Sequence, residues 1–194
     1  ADWHIIVQCV KIGVPLAMQT SLIAVSCIIL QSVVNTFGSV VVAAYTATNR
    51  IEQLVQQPYN SLNMAMSTYT GQNMGAGKPE RVRLGFRKGC LIMGIFSLLV
   101  LPFAQFGGEV IMEFFVNERD VIDFGAKALR ITSWFYLALG MIYVTRGTLN
   151  GSGDAFFAFA SGIVEMIGRI CFARPLTKLP FLGVWGIWFA TAFT

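Results

Sequence analysis

Two uncharged stretches, residues 53–77 and 89–108, constrain this chain more than anything else in it. Each is long enough to cross the roughly 30 Å hydrocarbon layer of a bilayer as a helix of about 20 residues. Across their junction runs a polar, glycine-punctuated island, residues 71–83. In it, and just beyond, Lys78, Arg81, Arg83, Arg87 and Lys88 stand against a single acid, Glu80. Short loops rich in Lys and Arg stay on the cytoplasmic side, so the island is expected to be a cytoplasmic loop between two crossings.

The rest of the composition fits that frame. Of 194 residues, 55% are hydrophobic and only 12% charged, against about 25% charged in an ordinary soluble domain. The expected fold is all-α, a polytopic transmembrane helix bundle with room for about five crossings and part of a sixth. The net charge of +4 sits mostly at one membrane edge, where topology accounts for it, and no nucleic-acid partner is expected. Cys9, Cys27, Cys90 and Cys171 are scattered without Cys-x-x-Cys spacing, which points to neither a disulfide framework nor a metal site. The chain opens on Ala1 and stops within an apolar run, so it reads as an internal piece of something longer.

Taken in order, residues 1–11 suit a short helix at headgroup level beside Trp3, and crossings are expected over about residues 12–34, 41–70, 84–106, 120–148 and 156–173. A sixth, left incomplete, covers 183–194. Together they form a single transmembrane lobe over residues 1–194. Pro15 either lies in a first turn or kinks the first crossing, and Pro58 is expected to break the second. Pro79 and Glu80 suit the first turn of the third, Asn117 is a plausible cap for the fourth, and residues 146–154 form a second cytoplasmic turn. Residues 107–127 are acidic and expected outside, and residues 174–180 form another outer connection.

The second crossing carries Tyr45, Asn49, Arg50, Glu52, Gln53, Gln56, Gln57, Asn60 and Asn63. Against lipid such a load is expensive, so this helix must face a cavity or partner helices. Arg50 and Glu52 are two apart and point to different sides, each needing its own partner; Arg146 or Arg169 could serve Glu52. Glu165 and Arg169 can pair across one turn, either as a brace between helices or in ion or substrate passage. His4 reads as a surface residue. Residues 71–78 resemble a phosphate loop only superficially, because five residues separate Gly71 from Gly77 and Pro79 follows Lys78. Gly147 and Gly151 have the spacing of a helix-packing motif but are expected to straddle a loop, which favours a tight turn. With no catalytic constellation, an enzyme is not expected, nor is a cofactor or metal.

Asn49-Arg50-Ile51-Glu52-Gln53-Leu54, Pro58, Gly71-Gln72-Asn73-Met74-Gly75-Ala76-Gly77-Lys78-Pro79-Glu80-Arg81 and Arg146-Gly147-Thr148-Leu149-Asn150-Gly151-Ser152-Gly153-Asp154 together resemble the carboxyl-terminal half of a bacterial multidrug and toxic compound extrusion (MATE) transporter. The resemblance implies one six-helix lobe of a two-lobe, multi-pass protein of the plasma (inner) membrane. It implies export of small cationic or amphipathic drugs against protons or sodium, with the amino-terminal lobe as partner. Acids that several members carry on the seventh and tenth helices have no counterpart in residues 12–34 or 131–145. The pathway candidates are Glu52, Arg50, Gln53, Gln56, Asn63, Glu165 and Arg169. Two other readings remain: a lipid-linked oligosaccharide flippase of the same superfamily, which would use Arg50, Arg146 and Arg169 for a pyrophosphate, and a non-transporting membrane scaffold.

Overall fold

In a computed structural model the described residues, 3–178 and 183–193, are helical almost throughout. The main helices are α1 (Trp3–Val34), α2 (Ser39–Gly75), α3 (Pro79–Phe106), α4 (Gly108–Glu113), α5 (Arg119–Ser133), α6 (Tyr136–Gly151), α7 (Ala155–Lys178) and α8 (Gly186–Phe193). Trp3–Phe37 and Pro79–Phe106 are each long and apolar enough to cross a membrane, and α5 with α6, bent by 55°, qualify together as a third. At 37 residues α2 has the length but is too polar to qualify alone.

Several local expectations change. The first eleven residues are no separate interfacial helix, because α1 runs unbroken from Trp3 through Pro15. Pro58 likewise sits inside a continuous α2. A proline removes one backbone bond and crowds the preceding turn, and neighbouring helices can re-satisfy the freed carbonyl. The fourth crossing is two helices broken at Trp134 and Phe135. Asn117 does not cap α5, since Glu118 holds the N-cap position and no side chain bonds the helix end. The outer connection begins later than residue 174 because α7 continues to Lys178; Leu179 and Pro180 lie outside the described residues, as does Thr194 at the end of the last expected helix.

The two turns at the island end share one construction. After α2, Gly77 takes φ +68° while its N–H donates to Met74 O and that of Lys78 to Asn73 O, at 3.0 and 2.9 Å. After α6, Gly153 takes φ +85°, with the N–H groups of Gly153 and Asp154 donating to Asn150 O and Leu149 O. This paired closure satisfies carbonyls a helix end would otherwise orphan, and it uses a left-handed residue that glycine fills without penalty. Pro79 then starts α3, and the Asp154 carboxylate accepts from the Phe157 N–H at 3.1 Å to cap α7.

Lipid tails are as apolar as leucine, so close packing and hydrogen bonds, not burial of hydrocarbon, hold such a bundle together. Leu91, Leu98, Leu99 and Phe103 of α3 accordingly face outward. The tightest junction joins α6 to α2. A Cβ on Gly147 would run into the Asn63 backbone and one on Gly151 into the Ser67 carbonyl, so both glycines are packing residues on a helix and not parts of a turn. Asn63 Nδ2 donates to Tyr143 O at 2.8 Å across the same junction. Buried Tyr59 joins α2 to α3 through a 2.9 Å hydrogen bond with Ser97 Oγ, which also donates to Tyr136 O of α6. Elsewhere α1 packs chiefly on α7, and Gln19 Nε2 donates to Ser161 Oγ at 3.2 Å. The lobe is thus two groups of helices, α2 with α3, α5 and α6, and α1 with α7 and α8. At the end away from the island they meet through Leu30, Val34, Val41, Tyr45, Ile187 and Trp188.

Candidate functional site

Between these two groups lies a cavity of about 360 Å³, within the ordinary range for small-molecule sites. Tyr45, Asn49, Glu52 and Gln56 enter it from α2, at helical spacings of four, three and four that put them on one face. Thr132 of α5 and Phe135 and Tyr136 at the α5–α6 break form another wall, with Tyr143 and Arg146 farther along α6. Cys27 and Gln31 of α1 and Glu165 and Arg169 of α7 complete the polar lining.

Its charges are unevenly partnered. Buried Glu165 accepts from two guanidinium groups, Arg146 Nη2 on Oε2 and Arg169 Nη2 on Oε1, both at 2.7 Å. Arg169 also reaches Ser26 Oγ at 3.2 Å and Cys27 Sγ at 2.9 Å. One carboxylate thereby ties α6 to α7, and through Arg169 to α1, so the fork spans the boundary between the helix groups. Glu52 is the opposite case. No ion pair to it occurs among the described residues, and its Oε1 is enclosed without a hydrogen-bond partner, as is the hydroxyl of Tyr136. Its lone cavity-facing carboxyl can accept a proton, a metal cation or an organic ammonium group; the fork's carboxylate is already saturated.

Of the residues singled out from sequence, Glu52, Gln53, Gln56, Glu165 and Arg169 line this cavity together. Arg50, two positions from Glu52, turns outward and is exposed. Asn63 lies on α2 beyond the cavity and straps α2 to α6. Tyr45 and Asn49, part of the polar load of the second crossing but not among the pathway candidates, also line it, and their helical spacing to Glu52 and Gln56 is a usable signal. Thr132, Phe135 and Tyr136 carry no such signal, since the break that presents them contains neither proline nor glycine. Among the described residues no cluster of His, Cys, Asp and Glu could hold a metal ion, and the four cysteines are free.

The model of a family described as MatE matches residues 15–173. The chain is 30% identical over 192 residues to "Probable multidrug resistance protein YoeA" of Bacillus subtilis (strain 168), covering 95% of this chain and 41% of that protein. It is 27% identical over 168 residues to "Multidrug and toxin extrusion protein 1" of Pongo abelii, covering 80% and 28%. Among solved structures, "Crystal structure of MATE in the bent conformation" superposes with a TM-score of 0.91 at 20% identity over 100% of this chain and 43% of that one. A MOP superfamily transporter from Pyrococcus furiosus, described as having reverse polarity of its binding pocket, gives 0.85 at 15% identity, covering 96% and 41%. The chain spans about two fifths of YoeA's length, and its fold is that of one lobe of such a transporter.

Proposed function

The chain belongs to the MatE family, and from that premise we propose that it forms the carboxyl-terminal lobe of a secondary multidrug exporter in the plasma (inner) membrane. On this reading it exports small cationic or amphipathic compounds, driven by entry of protons or sodium. Glu52 is the acid that alternately holds the driving cation and the drug. One observation carries the reading: in a cavity whose other acid is saturated by two arginines, Glu52 makes no ion pair among the described residues. A carboxyl at membrane depth costs roughly 2.5–3.5 kcal/mol on insertion scales, and such groups are characteristically pathway residues. The rings of Tyr45, Phe135 and Tyr143 line the same space and offer π-faces to an organic cation. Gln53 and Gln56 supply neutral donors and acceptors that suit chemically varied substrates.

The flippase reading needs arginines free to grip a pyrophosphate, and the engagement of Arg146 and Arg169 with Glu165 weighs against it. Transport also requires the amino-terminal lobe, because the pathway of a two-lobe carrier forms between lobes. The test is Glu52→Gln in the complete transporter, read as ethidium efflux from cells at matched expression. We expect efflux to fall to background while the protein's thermal unfolding midpoint holds. Undiminished efflux with unchanged pH and sodium dependence would exclude Glu52 from the pathway. Residues 1–194 expressed alone should insert without conferring efflux.

A further inference from the structure

A second concavity, unrelated to the cavity above, opens at the island end between α3 and α6. Val82, Phe86 and Leu149 give it apolar walls, and Thr145 and Thr148 bring hydroxyls to its edge. Its volume is about 520 Å³. Arg83 and Arg87 both line it and, four residues apart on α3, share one helix face with their backbones about 6 Å apart along the axis. Both are exposed, and among the described residues neither has an ion pair. Lys78, Arg81 and Lys88 add to the same positive end, against Glu80 alone.

Depth decides what can occupy this groove. Tyr69 donates its hydroxyl to Arg81 O at 3.0 Å, and a tyrosine with a polar tip at a helix end marks the headgroup level. Arg83 lies half a turn beyond that level, and Leu84, Leu91 and Ile92 of the same apolar helix are already exposed on the outside of the lobe. The groove therefore opens sideways to the bilayer at the boundary between headgroups and acyl chains. A topological excess of basic residues requires no cavity. Here two arginines flank an apolar slot of matching depth, the arrangement with which basic pockets between spanning helices hold anionic headgroups.

We propose that this groove binds an anionic phospholipid of the cytoplasmic leaflet. Its phosphodiester sits between Arg83 and Arg87, with the Thr148 hydroxyl as a further contact, and the upper part of one acyl chain lies along Phe86 and Leu149. Guanidinium groups are suited to this task because their planar forks meet phosphate oxygens in pairs. The bound lipid would bridge α3 and α6.

Native mass spectrometry of the complete transporter, titrated with phosphatidylglycerol or phosphatidylcholine, tests the assignment. Retained phosphatidylglycerol adducts are expected, weakened roughly tenfold or more in Arg83→Gln/Arg87→Gln, since both charge-assisted guanidinium–phosphate contacts are lost. Arg81→Gln/Lys88→Gln removes the same charge outside the groove, leaves the guanidinium–phosphate contacts intact and should weaken the adducts clearly less than the groove variant. Equal weakening in both double variants would mean diffuse attraction and overturn the site. So would equal retention of phosphatidylcholine, or displacement of the lipid by millimolar inorganic phosphate, which would mark a simple anion pocket. Leu149→Trp fills the slot without altering charge, and unchanged adducts in that variant would also refute the groove.

Discussion

Glu165 and Glu52 face one cavity and differ in what surrounds them. Glu165 is held by two arginines at 2.7 Å and is inaccessible to a third cation, whereas Glu52 makes no ion pair among the described residues and has an enclosed oxygen without a hydrogen-bond partner. The first geometry fixes helices and the second leaves chemistry available. A charged residue in a membrane cavity is thus a candidate pathway group in proportion to its lack of a fixed partner, and charge alone does not identify it.

The sharpest way to break this contrast is Glu165→Ala. Two enclosed guanidinium groups would lose their counter-ion, and removing one partner of a buried pair costs about 3–5 kcal/mol. A large fall in the unfolding midpoint of the complete transporter in detergent is expected, followed by thermal-shift measurement, with lost activity as a secondary effect. Replacing all three members, by Glu165→Leu, Arg146→Met and Arg169→Met, should recover most of that loss, because an apolar substitute of similar volume is often neutral. Failure to recover would mean that the arginines have a role beyond neutralising Glu165.

Glu52→Gln should move stability by less than about 1 kcal/mol in the same assay, since no fixed partner is lost. A fall as large as that of Glu165→Ala would erase the distinction and make Glu52 a brace. The smallest effect is expected from Arg119→Ala at the opposite end. Arg119 approaches Glu109, Glu113 and Asp123 at 3.7, 3.5 and 3.4 Å, so it has more partners than Glu165, but its side chain is 66% exposed. Exposed pairs contribute about 0–1 kcal/mol, and less at high salt. If Arg119→Ala matched Glu165→Ala, partner number and not enclosure would be the governing variable.

Topology bears on the contrast through the direction in which Glu52 is reached. Single cysteines at Ala76 and Asn117, in a background lacking the four native cysteines, should react with an impermeant maleimide in intact cells at Asn117 only. Labelling at Ala76 alone would invert the lobe.

What was legible in the sequence was what local spacing determines. The Glu165–Arg169 pair follows from four residues of separation, Pro79 from its fit to a first turn, and the polar face of α2 from repeated Gln and Asn. Arg146 joins the fork from 19 residues away, across a turn and a change of helix, and only packing brings it there. The same limit applies to Gly147 and Gly151. Their dense Gly, Ser and Asn surroundings imitate a turn, and only the approach of α2 shows that they lie on a helix. The α5–α6 break at Trp134 has no local cause in residue type. It is held by tertiary bonds, as Gln105 Nε2 donates to Arg130 O and Ser97 Oγ to Tyr136 O.

The glycine junction between α2 and α6 also bears on how the lobe is made. A ribosome delivers α2 long before α6, and at about 5–20 residues per second the stretch from Gly75 to Tyr136 takes roughly 3–12 s. During that interval α2, too polar to qualify as a span by itself, has α3 to pack on but not α6, while α1 and α3, on either side of it in the chain, are apolar enough to enter lipid alone. The face of α2 that carries the Asn63 and Ser67 backbone is therefore without its glycine counterpart until α6 has been made, and the α2 group of helices closes there last.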